Sequence, residues 1–172
     1  MIVRYTQILH SPVYEMRGYQ KLGRVLDIVI QKSDLSVKAV IMREGAFFFD
    51  EKKAISVSDI QEFTSGSVLV VDDNSPVPIK ESIRVFEAIK DRMFGVGQIV
   101  RTKSGKLIGK VYDYTFHNET GAIEKFYVKS IFNDRIISRD AVVKLEGKRM
   151  TIEDDFEVIK TPAMELDKSI VI

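Results

Sequence analysis

Apolar and polar residues along this chain recur mostly with a period of two, in runs too short for most helices. Gly23 to Gln31 and Leu107 to His117 are rich in Val, Ile, Tyr and Phe, side chains that suit a pleated, half-buried surface. Each run is followed by a turn cluster, Gln31-Lys32-Ser33-Asp34 or Asn118-Glu119-Thr120-Gly121, and then by a second apolar run, Val37 to Arg43 or Ala122 to Ser130. That spacing predicts a hairpin in each case. Arg135 to Ser138, Ala141 to Leu145 and Arg149 to Ile152 predict shorter strands, with Gly147 turning between the last two. Five or six short strands within ~65 residues would leave long open edges as a flat sheet, so the pattern predicts a closed or nearly closed barrel.

The pattern occurs twice. Leu22-Gly23-Arg24-Val25-Leu26-Asp27-Ile28 lines up with Ile108-Gly109-Lys110-Val111-Tyr112-Asp113-Tyr114. Ile55-Ser56-Val57-Ser58-Asp59-Ile60 follows the first, as Ile136-Ile137-Ser138-Arg139-Asp140-Ala141 follows the second. Gly66 then answers Gly147, and Val71-Asp72-Asp73 answers Glu153-Asp154-Asp155. These matches, in the same order in both copies, predict a tandem repeat. Between the copies, Asn74-Ser75-Pro76-Val77-Pro78 breaks the strands, and Ile79, Ile83, Phe86, Ile89 and Met93 fall at helical spacing. We therefore expect an all-β chain of two tandem small barrels with five to six strands each, joined by one helix from about Ile79 to Met93. The units run over 1–75, 76–93 and 94–155, with a tail from 156 to 172. The apolar stripe of the helix is expected to close an open barrel end, or else to serve a dimer or partner contact.

The residues resemble a known family. Leu22-Gly23-Arg24-Val25 with Asp27, and more fully Val96-Gly97-Gln98-Ile99-Val100 followed by Ser104-Gly105-Lys106-Leu107-Ile108-Gly109-Lys110-Val111-Tyr112-Asp113, look like the opening of a PRC-barrel domain. Ile55-Ser56-Val57-Ser58-Asp59 and Ile137-Ser138-Arg139-Asp140 look like its short turn before the last strands. The resemblance implies binding roles rather than a reaction. Such barrels occur in the H subunit of the photosynthetic reaction centre, in a ribosome maturation factor and in an archaeal division protein. This chain departs from each of them: it has no membrane-spanning run, its halves look alike, and Ile79 to Met93 is too short for a sustained coiled coil.

Composition narrows the chemistry. Lys and Arg total 26 against 25 for Asp and Glu, so no global charge draws the chain to phosphate backbones or anionic lipid. Cysteine is absent, which removes disulfides and thiolate chemistry and fits a reducing cytoplasm. The apolar residues of the amino terminus are interrupted too early for a signal peptide. His10 and His117 have no ligand partners at metal-binding spacing. Gly95-Val96-Gly97 lacks the third glycine of a dinucleotide fingerprint, and Ser104-Gly105-Lys106 reads as a hairpin turn rather than a phosphate loop. Asp72-Asp73 and Asp154-Asp155 read as exposed turn caps. Asp27 and Asp113 sit inside apolar strands, where a carboxylate must find donors, and read as structural. No catalytic residue, cofactor site or metal site is expected.

Two contact surfaces remain. Phe47-Phe48-Phe49 cannot all enter one core, because alternate strand residues face opposite sides, and Phe132 occupies a similar place in the second copy. These four are candidates for inter-barrel packing or a partner contact. Arg101, Lys103, Lys106 and Lys110 form the single basic cluster that favours RNA, without an aromatic stacking ladder beside it. The expected function is a cytoplasmic, non-enzymatic interaction module that binds another protein or a second copy of itself, without entering a membrane. The alternative is an RNA- or ribosome-associated maturation factor, and a more distant one is an enzyme with a site between the barrels.

Overall fold

The computed structural model describes residues 1–44, 51–64, 66–93, 95–130 and 133–156. Its strands, in chain order, begin with β1 (Ile2–Arg4), β2 (Pro12–Glu15), β3 (Lys21–Gln31), β4 (Ser36–Glu44) and β5 (Glu51–Ser56). Next come β6 (Ile60–Phe63), β7 (Val68–Val70), β8 (Val77–Pro78), β9 (Arg92–Met93) and β10 (Ile99–Thr102). The last are β11 (Leu107–His117), β12 (Ile123–Lys129), β13 (Arg135–Ser138), β14 (Val142–Glu146) and β15 (Arg149–Ile152). One helical turn, α1 (Tyr5–Ile8), follows β1, and one longer helix, α2 (Ile83–Lys90), stands in the middle of the chain.

These strands form two curled sheets with one plan, and the fold is all-β and barrel-like. The first sheet runs β6-β7-β2-β3-β4-β5, and the second runs β14-β15-β10-β11-β12-β13. Each is curled by a parallel pairing between its opening strand and a late one, Val13 beside Val68 and Val100 beside Met150. Each long central strand carries a bulge at the same point, where Leu26 stands as the extra residue between Val25 and Asp27, and Tyr112 between Val111 and Asp113. A bulge bends its strand and increases local twist, which is what a closing sheet requires. The later equivalence slips by one from the sequence alignment. Ile55 sits opposite Val40 and Ile137 opposite Phe126, so Ile55 corresponds to Ile137 rather than to Ile136. Ser56 and Ser138 then each precede a single 3-10 turn, Val57–Asp59 and Arg139–Ala141.

The sheets are not separate bodies. Val25, Ile28, Ile30 and Met42 of the first share one continuous apolar cluster with Val111, Tyr114, Phe116 and Phe126 of the second. Alternation along each strand sends these side chains inward. The chain starts in the second sheet before it enters the first, because β1 pairs antiparallel with β11 through Val3 and Phe116. The hairpin tips also meet. Val37 N–H donates to Gly121 O at 2.8 Å, and Ile123 N–H donates to Leu35 O at 2.9 Å. A side chain at Gly121 would put its Cβ 2.5 Å from Val37 O, and the residue also has φ of +68°. Glycine is therefore the residue that lets the two tips bond.

The central helix is shorter than expected, and its buried face overlaps the expected stripe only in part, at Ile89. The expected helix loses residues 79–82 to a turn that follows Val77 and Pro78, which pair with Ala54 and Lys53, and loses its last residues to strand, as Met93 and Arg92 pair with Ile30 and Gln31. The periodic stripe thus mixed strand residues with helical ones. Ser82 caps α2, its hydroxyl accepting from Val85 N–H. Val85 and Ala88 are buried, while Ile83 of the expected stripe is 79% exposed. Instead of closing a barrel end, α2 lies on the outer face of the first sheet, against Val29, Ala39, Ile41 and Ala54. The small Ala39 and Ala54 allow that close approach.

Gly121→Ala should destabilise the protein by about 2 kcal/mol or more, from steric overlap and a left-handed backbone together. Gly66→Ala, where an added Cβ meets nothing within 4 Å, should be nearly neutral. Urea midpoints at unchanged slope would check this, and equal midpoints for the two variants would remove the tip contact as a structural constraint.

Candidate functional site

The two repeated aspartates face one junction between the sheets and differ sharply there. Asp113 follows the bulge in β11, and its side chain is 3% exposed. A buried carboxylate is costly without donors. Asp113 has several: Thr6 N–H at 3.2 Å and Tyr114 N–H at 2.9 Å reach Oδ1, while the Thr6 hydroxyl at 2.7 Å and Arg4 Nε at 3.2 Å reach Oδ2. Arg4 and Thr6 belong to the strap that begins with β1, which thus supplies most of the donors to this charge. Asp27 is 49% exposed on its side chain. Its Oδ1 accepts from Ile28 N–H at 2.8 Å and from the Tyr5 hydroxyl at 3.4 Å, and Arg92 Nη1 lies 3.9 Å from Oδ2. Tyr5 stacks on Tyr114 with ring centroids 4.9 Å apart. Burial, reinforced by the Asp27 charge, pushes the Tyr5 phenol well above its ordinary range, so it remains a donor.

The outer side of the same bulge makes a surface. Tyr112, the extra residue, points outward beside Tyr127, with ring centroids 6.2 Å apart. The Arg4 guanidinium that pairs with Asp113 also lies over the Tyr127 ring, 4.2 Å from its centroid. Burial and the nearby Asp134 carboxylate hold the Tyr112 phenol above its usual range. Next to this cluster, Lys110 stands directly opposite Lys129. In the first sheet the matching outer face is the one that α2 covers.

A groove of about 560 Å³ lies between the sheets, lined by Lys32, Asp34 and Leu35 from one side and Asp140, Val143 and Leu145 from the other. Its charged rim is engaged. Lys32 pairs with Asp91 at 3.2 Å, Lys38 holds Asp34 at 2.6 Å, and Arg139 Nη2 donates to Asp34 O at 2.7 Å.

Of the residues singled out from sequence, Phe47, Phe48, Phe49 and Phe132 lie outside the described residues. Arg101, Lys103, Lys106 and Lys110 all lie on the β10–β11 hairpin, in different local surroundings. Arg101 Nη1 donates to Gly105 O at 2.9 Å. Lys103 Nζ bonds Glu153 at 2.7 Å, and that bond holds its ammonium above the usual range. Ser104 donates its N–H and hydroxyl to Asp154, so the acidic end Glu153-Asp154-Asp155 folds back onto the basic turn. Lys106 is exposed at that turn, and Lys110 faces outward on the sheet.

In comparison with family models, the PRC-barrel domain matches residues 1–92. The chain belongs to the PRC-barrel family. The match falls on the first sheet and the helix that covers it, whereas the motif reads more fully in the second half. No curated protein matches the chain. Among the described residues of this PRC-barrel protein, no helix is long and apolar enough to cross a membrane, and no group of three or more His, Asp or Glu side chains is placed to hold a metal ion.

Sequence reasoning passed over Arg4, Tyr112, Tyr127 and Lys129. Alternation marks Tyr127 and Lys129 as one face of β12, a legible signal, but the bulge that turns Tyr112 outward and the register that sets Lys129 against Lys110 are visible only in the folded sheet.

Asp113→Ala should cost about 2–4 kcal/mol, since it strands the Thr6 donors and the strap, while Asp27→Ala should cost less than about 1 kcal/mol at its half-exposed site. Chemical denaturation of both variants checks this, and similar losses would contradict the asymmetry.

Proposed function

We propose that the chain carries two PRC-barrel units in tandem and works as a non-enzymatic, cytoplasmic interaction module that holds a protein partner on the outer face of its second unit. The shared strand order, parallel closure and bulge position support the duplication. The binding reading rests on one observation: Arg4, Tyr112 and Tyr127 form a partly exposed aromatic–cation cluster, fixed from beneath by buried Asp113. Tyr and Arg are the residues that most often dominate protein interfaces, and side chains already held in place lose little freedom on binding. The groove between the units does not favour a reaction, because Lys32, Asp91, Asp34 and Arg139 at its rim are already held in ion pairs or hydrogen bonds.

The test is affinity capture from lysate with the wild-type chain and with Tyr112→Ala/Tyr127→Ala, each with and without ribonuclease. A partner that survives nuclease and is lost from the variant is the expected result. Capture that vanishes with nuclease would replace this reading with an RNA- or ribosome-associated factor, and capture unchanged by the variant would move the site elsewhere.

A further inference from the structure

The register of the second sheet lines up charges that lie far apart in sequence. Arg149, Ile99, Lys110 and Lys129 are successive partners in one transverse row across β15, β10, β11 and β12, and all four are exposed. Neighbouring strands lie ~4.8 Å apart, so Lys110 and Lys129 are held close together. Like charges directly opposite one another destabilise a strand pair. Among the described residues, neither lysine ammonium has a carboxylate or hydrogen-bond partner. In the first sheet the ladder likewise sets Arg24 opposite Arg43 and Arg43 opposite Lys52. The surface around the lysine pair is aliphatic as well as cationic: Ile99 is 44% exposed within the row and Leu107 is 54% exposed across from Arg101.

We propose that this row docks an acidic, aliphatic segment of a protein partner, its carboxylates meeting Lys110 and Lys129 and its apolar side chains covering Ile99 and Leu107. The proposal rests on the interaction-module reading and names the partner's chemistry. A polyanionic nucleic acid fits less well. Single-stranded nucleic acid is held by bases stacked on open aromatic faces. Here one face of Tyr127 is covered by Arg4, and the Tyr112 ring is inclined 55° to it, so the two tyrosines offer no parallel platform. Glu146, opposite Arg149, further dilutes the field at one end of the row.

A random twelve-residue peptide library displayed on phage is panned on the full chain, and the selected peptides are measured by fluorescence anisotropy against wild type and Lys110→Gln/Lys129→Gln. Selected peptides should be enriched in Asp or Glu together with Leu, Ile or Val, and should bind the double variant about tenfold or more weakly, with affinity falling as salt rises. The variant should fold with an unchanged or raised urea midpoint, because it removes a repulsion. Failure to select acidic peptides, or equal binding to the variant, overturns the proposal. So does oligouridylate binding as tightly as the peptides with the same loss in the variant, which would give the row to nucleic acid. Nuclease-resistant capture that is lost in Tyr112→Ala/Tyr127→Ala but kept in Lys110→Gln/Lys129→Gln overturns the row alone and leaves the interaction module standing.

Discussion

The buried carboxylate of Asp113 organises the junction between the two sheets. Its side chain sits inside the second sheet, and the donors that make its burial tolerable come largely from residues 4 to 6. Residues 2–4 accordingly pair with the second sheet as β1 before the chain enters the first sheet. With that pairing, Val3 and Ile8 enter the common core, Tyr5 stacks on Tyr114, and the two sheets become one packed unit. The hairpin tips at Leu35–Val37 and Gly121–Ile123 close the same junction with backbone bonds. Both contacts join residues roughly a hundred positions apart, so the two halves are expected to gain stability from one another rather than to stand as beads on a string.

The bulge next to Asp113 links this internal constraint to the outer surface. One extra residue in β11 puts Tyr112 and Asp113 against a single partner, Tyr127. Asp113 draws Arg4 across the strand, and Arg4 in turn covers the Tyr127 ring. A feature needed to curl the sheet thus also builds a rigid aromatic–cation patch. The first sheet has the same bulge, but there Leu26 is the extra residue and it packs beneath α2. The difference between a covered face and an open one is decided by which side chain stands at one bulge and by what the following segment does.

Electrostatics over the surface is mostly local neutralisation. The turn from Lys103 to Lys106 is met by Glu153 and Asp154, and at the groove between the sheets Lys32 is paired with Asp91 and Asp34 with Lys38. Exposed pairs of this kind contribute little to stability, but they remove charge that a ligand would otherwise meet. Lys110 and Lys129 stand out against this background, because the ladder holds them side by side without an acid between them.

The sequence by itself determined the all-β class, the number and order of the main strands, the two hairpins and the correspondence of Asp27 with Asp113, because strand alternation and turn chemistry are local and are written in consecutive residues. The family was legible for the same reason, in short runs such as Gly23-Arg24-Val25 and Gly109-Lys110-Val111. Three things were decided only by the tertiary structure. The helix lost its last residues because Arg92–Met93 found strand partners, and its first because residues 79–82 turn away from the Val77–Pro78 strand, a competition that periodicity does not register. The basic hairpin lost its coherence because an acidic end fifty residues away folds onto it. The row from Arg149 to Lys129 arose because register brings four strands into line, and register is a property of the closed sheet rather than of any one segment.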